Sequence, residues 1–191
     1  MVNSRAQAVR LAKGSTRNTP GTCQLWTRTM FNSPSVGDVD RDGDSDAVDG
    51  WKSEPFSARH TDLKPPAGTP VAWGGGRKGF GHRAISLGPV GPKGVYMIRS
   101  TDAGGSGVVA TVRLSYPVTA WGLTYLGWSE TIGGVTIPGG PKESATRGSQ
   151  VDEAIKQLRG EMAGKNFKPW SLRGLRIRRA HWQLQKISPL P

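Results

Sequence analysis

The aspartates between residues 38 and 49 have the spacing of a calcium-binding loop. Carboxylates stand at every second position from 38 to 46, and a last one closes the run at 49. Counted from the first, they fill positions 1, 3, 5, 7, 9 and 12 of the twelve-residue loop that binds Ca²⁺ through oxygen ligands, with glycine at position 6. The predicted metal residues are Asp38, Asp40, Asp42, Asp44 through its backbone carbonyl, Asp46 through water, and Asp49, with Gly43 at the turn. We expect Ca²⁺, since these carboxylates repel each other without a cation; the alternative is a solvated acidic turn.

A lone cysteine and a histidine occur in contexts that suit a thiol nucleophile and its base. Cys23 is the one cysteine of the chain, and it falls in the first turn of a helix predicted to begin at Thr19-Pro20, where the helix terminus lowers a thiol pKa. His82 follows a glycine-rich turn and opens an alternating strand, which would hold the imidazole rigidly. We therefore predict a catalytic pair; the alternatives are a small buried cysteine and a structural histidine.

A third group is expected to orient the imidazole through its other ring nitrogen. The next predicted strand runs into Asp102, which we predict to be the orienting residue, with Ser100 behind it. His60, close after the acidic run, is a weaker candidate base. His181, in the basic C-terminal region, is expected to face solvent or to pack.

The hydrophobic pattern predicts helices first and a sheet after them. A helix capped by Ser4 runs to about Lys13, the cysteine helix follows, and a short helix is expected over Trp51 to His60. Strands are predicted over 70–73, 81–88, 95–100 and 108–116, with 121–128 as a final loop or short helix. Helices followed by an antiparallel sheet make the predicted fold class α+β.

The chain divides by composition into two parts. A Pro/Gly-rich linker at 137–141 separates a domain over 1–140, with the inserted loop 38–49, from a basic helical segment over 141–191. The net charge of +12 favours a polyanionic partner such as nucleic acid, an anionic membrane or an anionic wall polymer. We expect no specific nucleic-acid binding, because the sequence carries no recognised motif and the acidic loop would repel phosphates. We also expect no transmembrane segment and no signal peptide, since apolar runs of the needed length are missing from the sequence.

Two short motifs resemble those of the CHAP and NlpC/P60 peptidoglycan hydrolases. Gly21-Thr22-Cys23-Gln24-Leu25-Trp26 is similar to their Gly-x-Cys-x-x-aromatic helix start. The segment 70–75, with its Val-x-Trp strand, followed by the Gly-His-x-Ala-Ile pattern of 81–88, is similar to their paired strands. Over about 15–137 the chain resembles the N-terminal peptidase domains of endolysins (lysin A) from phages of actinobacteria.

The resemblance implies a papain-like fold and cleavage of amide bonds in peptidoglycan, by a cysteine endopeptidase or an N-acetylmuramoyl-L-alanine amidase. The Cys23 thiolate would attack the carbonyl, His82 would protonate the leaving amine, and the Cys23 N–H would stabilise the oxyanion. Such an endolysin would accumulate in the host cytoplasm and reach the cell wall after holin opens the membrane. The basic segment would bind anionic wall polymers or pack on the domain. Two alternatives are a non-catalytic calcium-stabilised wall-binding or virion structural module, and a tail-associated wall hydrolase.

Overall fold

The computed structural model describes residues 1–76 and 78–140, in which three helices come first and strands, with one further helix among them, follow. The helices are α1 (Arg5–Gly14), α2 (Cys23–Phe31), α3 (Ala47–Lys52) and α4 (Tyr116–Trp121), with a 3₁₀ turn at Phe56–Ala58. The strands are β1 (Arg59–His60), β2 (Pro70–Gly74), β3 (His82–Val90), β4 (Val95–Ser100), β5 (Ala110–Arg113), β6 (Thr124–Ser129), β7 (Thr131–Ile132) and β8 (Val135–Thr136). The basic helical segment predicted over 141–191 lies outside the described residues.

Capping residues set the start of the first helix and the end of the second, whereas Thr22 before α2 makes no side-chain capping bond. The Ser4 side chain accepts a hydrogen bond from the Gln7 N–H at 3.3 Å, as predicted for the start of α1. Helix α2 begins at Cys23 itself, so the cysteine is its first residue. Asn32 ends α2 in the left-handed conformation, with φ of +50°.

The sheet is antiparallel throughout, in the strand order β1-β6-β2-β3-β4-β5. The strands β2 to β5 follow one another as neighbours, so this part of the sheet is a simple meander. A separate hairpin pairs β7 with β8. The predicted α+β class, with its antiparallel sheet, is confirmed at this level.

Each face of the sheet carries its own apolar core, because successive side chains of a strand point to opposite faces. On β3, Ile85 joins the cluster formed with α1 and α2, whereas its neighbour Ala84 joins the cluster on the other face. The first cluster comprises Ala8, Ala12, Trp26, Phe31, Ile85, Val109, Ile132 and Ile137. The second comprises Val71, Trp73, Ala84, Ile98, Leu114, Leu123 and Trp128. Helix α2 and strand β3 are thereby packed together, which positions their first residues.

Two predicted elements were wrong. The helix expected over Trp51 to His60 lies earlier, at Ala47–Lys52, because Asp46 caps it, and Arg59–His60 form an edge strand that pairs with β6. The segment 121–128, expected as a loop or short helix, contributes the strand β6 between β1 and β2. Only the second half of β6 is buried, so its sequence lacks the alternation that marks a half-buried strand.

Candidate active site and metal loop

Cys23 lies at the N-terminus of α2, beside the start of β3. It is 8% exposed, and the backbone N–H groups of Gln24 and Arg83 lie where they favour its thiolate. Burial outweighs them and raises the pKa of the thiol to about 11. The lowered pKa expected from the helix terminus is therefore wrong for this conformation, in which Cys23 is a neutral thiol at pH 7.

His82 is held at the first position of β3 by a hydroxyl and two indole rings. Its Nε2 lies 2.8 Å from Ser100 Oγ, and both residues are buried. The Trp121 ring meets the imidazole edge-on at 4.9 Å, and Trp73 lies across the strand pair at 5.9 Å. Burial lowers the pKa of His82 to about 4, so the imidazole is neutral at pH 7 and a weaker base than an exposed histidine.

The turn before His82 brings the backbone close to β2. Gly81 has φ of +68°, and a Cβ built on it would overlap the Trp73 carbonyl oxygen. A residue with a side chain is excluded there both by conformation and by space. This close approach sets the entry of β3. Because neighbouring side chains of a strand point to opposite faces, His82 faces Trp73 on the second apolar core, whereas Arg83 faces α2.

Asp102 does not orient the imidazole. Its backbone is left-handed, with φ of +59°, and its two carboxylate oxygens accept hydrogen bonds from the N–H groups of Gly21 at 3.2 Å and Gly107 at 2.8 Å. The direct partner of His82 is Ser100, which the sequence placed behind Asp102. Asp102 instead fixes the loop that leads into Cys23, and its negative charge acts weakly on both Cys23 and His82.

Cys23 lines a cleft of 210 Å³ between the start of α2 and the acidic loop. One wall is the turn before the cysteine, from Gly21, and a second is the turn that precedes His82, from Phe80. The remaining wall is 44–47, the second half of the acidic loop. His82 is not among the residues that line this cleft.

The acidic loop folds so that four of the six aspartates converge. Carboxylate oxygens of Asp38, Asp40, Asp42 and Asp49 lie within 4.8 Å of one another. These are loop positions 1, 3, 5 and 12, the positions at which a twelve-residue calcium loop uses side-chain ligands. The donor set is therefore of the hard-oxygen kind that Ca²⁺ prefers.

The backbone of the loop has the turn that such a site requires. Asp38 accepts hydrogen bonds from the N–H groups of Asp42 and Gly43 at 3.0 and 2.9 Å, and Gly43 has φ of +100°. Asp49 is fully buried and accepts from the N–H groups of Val39 and Asp40 at 2.7 and 2.9 Å. Asp49 therefore closes the loop. The four converging carboxylates could hold a metal ion, and in this structure the Lys52 ammonium pairs with Asp40 Oδ2 at 2.6 Å.

The other two aspartates have different positions. The Asp44 side chain is outside the converging group, as its predicted backbone role allows. Asp46 also lies outside the group: its Oδ1 caps α3, accepting from the N–H groups of Val48 at 2.7 Å and Asp49 at 3.0 Å. Asp46 thereby organises the exit of the loop, and its role as a ligand through water stays a prediction.

Sequence reasoning missed a buried ion pair beside the site. Arg83 Nη2 lies 2.5 Å from Glu54 Oε1, and the two side chains are 1% and 0% exposed. The sequence feature that could have indicated this ion pair is Arg83, an arginine on the helix-facing side of the otherwise apolar strand β3. No role had been assigned to Glu54, because its partner is contributed by a strand far along the chain.

Comparisons with protein-family models, curated proteins and solved structures found no match to this chain. Among the described residues, no helix is long and apolar enough to span a bilayer.

Proposed function

We propose that this chain is a calcium-binding cysteine hydrolase that cleaves amide bonds of bacterial peptidoglycan. The observation that carries the proposal is the placement of Cys23 at a helix start, in a cleft, beside a strand whose first residue is a neutral, Ser100-bound histidine. A nucleophile at a helix N-terminus, a base on an adjacent strand and an orienting hydroxyl are the parts that covalent acyl transfer requires.

In the first step, the Cys23 sulfur attacks the amide carbonyl carbon while His82, which does not line the cleft in this structure, would have to turn toward the thiol to take its proton. Because both groups are neutral at rest, this proton transfer accompanies attack and does not precede it. The backbone N–H of Cys23 would stabilise the oxyanion. His82 then donates the proton to the leaving amine, and a water molecule, deprotonated by His82, hydrolyses the thioester and frees the thiol.

The acidic loop would hold calcium through Asp38, Asp40, Asp42 and Asp49, with the Asp44 carbonyl as a further ligand. When bound, the ion supplies two positive charges to a loop that also forms a wall of the Cys23 cleft. Within this proposal the ion is structural and electrostatic, because none of the four converging carboxylates lines the Cys23 cleft.

The antiparallel sheet with the cysteine helix packed on it is compatible with a papain-like fold of the CHAP or NlpC/P60 kind. With the motif resemblance, it favours a phage endolysin that accumulates in the host cytoplasm and reaches the wall after holin acts. A tail-associated hydrolase would have the same site, and detection of the chain in purified particles would identify it. The basic segment 141–191 would attach the enzyme to anionic wall polymers.

A second candidate function is a non-catalytic, calcium-stabilised wall-binding or virion module. The observation that favours it is the pKa of Cys23, about 11, since most buried neutral cysteines are inert. The two functions differ in a single outcome: a binding module keeps its function when Cys23 is replaced by serine.

The test is a turbidity assay on purified actinobacterial cell walls, with calcium or with chelator. Cys23→Ala and His82→Ala are expected to abolish clearing while circular dichroism stays that of the folded protein. His60→Gln is the matched control, because His60 stacks on Trp128 at 3.9 Å on the edge strand, away from the cleft. Clearing by Cys23→Ala at the wild-type rate would refute the thiol mechanism, and binding of walls without clearing would support the second function.

A further inference from the structure

The walls of the Cys23 cleft carry negative charge and no positive charge. Asp44 and Asp46 line the cleft, and none of the other described residues that line it is basic. The chain as a whole has a net charge of +12, so the sign of the cleft is opposite to that of the protein. A cleft lined by one sign of charge attracts ligand groups of the other sign, which here means a cation.

Asp46 is the carboxylate of the cleft that offers a free oxygen. The residue is 9% exposed, and its Oδ1 accepts from the N–H groups of Val48 and Asp49 at the start of α3. Its Oδ2 accepts no hydrogen bond from the part of the chain that the structure describes, and it stays accessible to solvent. Because Asp46 lines the cleft, a ligand there can donate to this oxygen.

Gln24 is a second buried polar side chain of the cleft with an unmet hydrogen bond. It lines the cleft beside Cys23 and is 5% exposed. Its Oε1 accepts from Arg83 Nη1 at 3.3 Å, whereas its Nε2 donates to no described residue. A buried polar group without a partner costs free energy, and a polar ligand that supplies the partner removes that cost. The cleft therefore leaves both an acceptor and a donor unpaired beside the thiol.

The geometry selects a primary ammonium over a guanidinium. A guanidinium binds a carboxylate best through both oxygens, but the helix cap already uses Oδ1 of Asp46. An ammonium is a compact charge that needs one oxygen. Leu25, which is 52% exposed, and Phe80 line the same cleft and offer apolar contact to an alkyl stem. The 210 Å³ of the cleft suit a short group, since sites for drug-sized ligands have about 300–1,000 Å³.

We propose that the Cys23 cleft binds the primary ammonium of an aliphatic amine through Asp46, and that the substrate of the hydrolase carries such an amine beside the bond that Cys23 attacks. The binding of the ammonium needs no metal ion, because Asp46 lies outside the four converging carboxylates. The substrate preference rests on the proposed function, whereas the binding of the ammonium does not.

The test uses the full chain and the modification of its one cysteine by methanethiosulfonates. The three reagents carry an aminoethyl, an ethyl or a sulfonatoethyl group, so they are cationic, neutral and anionic. Rates are measured by intact mass near neutral pH in EGTA, and each is divided by the rate of the same reagent with mercaptoethanol. For the wild type we expect the cationic reagent to be favoured over the neutral one by about tenfold or more, as one charge-assisted hydrogen bond would give, and the anionic one to be disfavoured.

Asp46→Asn is the deciding variant. Asparagine also caps helices, so α3 keeps its start while the cleft loses the charge. We expect the preference for the cationic reagent to fall below about threefold, the worth of a neutral hydrogen bond. Asp38→Asn is the matched control, because it removes one charge from the same acidic run but Asp38 does not line the cleft. It should keep the wild-type preference. If Asp46→Asn does not fold by circular dichroism, Asp46→Ser, which also caps without charge, takes its place.

Equal rates for the cationic and neutral reagents in the wild type, or an equal loss of preference in both variants, would overturn the ammonium site. Failure of all three reagents to modify the folded protein would also overturn it, since the cleft would then be closed to ligands.

Wall clearing tests the substrate preference separately. Walls whose free amines have been acetylated should be cleared at least about fivefold more slowly than untreated walls by the wild type, because the site would lose its partner. Equal clearing of both walls would refute the substrate preference. An ammonium preference at Cys23 without clearing of either wall would refute the proposed function and leave the ammonium site standing.

Discussion

Replacement of Glu54 by glutamine is expected to destabilise the fold strongly, although the two side chains have nearly the same shape. The carboxylate is 0% exposed and is paired with an arginine that is 1% exposed. Removing one partner of a buried ion pair leaves the other charge uncompensated, at about 3–5 kcal/mol.

The hydrogen bonds lead to the same conclusion. Oε1 accepts from Arg83 and Gly133, and Oε2 accepts from Thr131 and Gly134. Whichever oxygen becomes the amide nitrogen, two donors lose their acceptor. For a domain of this size, about 3–5 kcal/mol corresponds to a fall of about 10–20 °C in Tm.

The assay is thermal unfolding by circular dichroism, repeated in calcium and in EGTA, with Glu130→Gln as the control. Glu130 also pairs with a basic side chain, His60 at 3.3 Å, but it is 34% exposed. Its replacement should cost less than about 1 kcal/mol. If Glu54→Gln lowers Tm no more than Glu130→Gln does, the argument from the buried pair is wrong. A double variant, Glu54→Gln with Arg83→Met, should be more stable than Glu54→Gln alone, since it removes the orphaned charge.

Three further predictions concern the site. The pKa of His82 is about 4 in the folded protein and 6.5 ordinarily, so between these pH values the unfolded chain binds a proton that the folded chain does not. The free energy of unfolding therefore falls as the pH is lowered through this range. Urea unfolding should show a loss of about 3 kcal/mol from pH 7 to 4, and His82→Gln should show a smaller loss. Ser100→Ala removes the hydrogen bond to His82 and should lower kcat for wall hydrolysis about two- to tenfold with KM little changed, the worth of one neutral hydrogen bond; unchanged kcat would remove Ser100 from its orienting role. Asp40→Asn should weaken calcium binding measured by calorimetry, whereas Asp44→Asn should not, because only the first carboxylate is in the converging group; equal effects would contradict the ligand assignment.

Local pattern was enough to predict the acidic loop and the first helix. The register of Asp38 to Asp49 and the position of Gly43 depend on spacing within twelve residues, and the turn forms as that spacing requires. Ser4 caps α1 through a neighbour three residues away. Such contacts join residues that are close together in the sequence, so they can be inferred from the order of the residues.

The sequence by itself also singled out Cys23 and His82 by type and placed them at the starts of a helix and a strand. Only tertiary structure decided their chemistry. Packing of α2 against β3 buries Cys23 and raises the pKa of its thiol, whereas Trp73 and Trp121 pack around His82, whose burial lowers the pKa of the imidazole. Pairing of β4 with β3 brings Ser100, not Asp102, to the histidine. Desolvation and contacts between distant strands depend on what surrounds a residue in space, and its neighbours in sequence do not specify that.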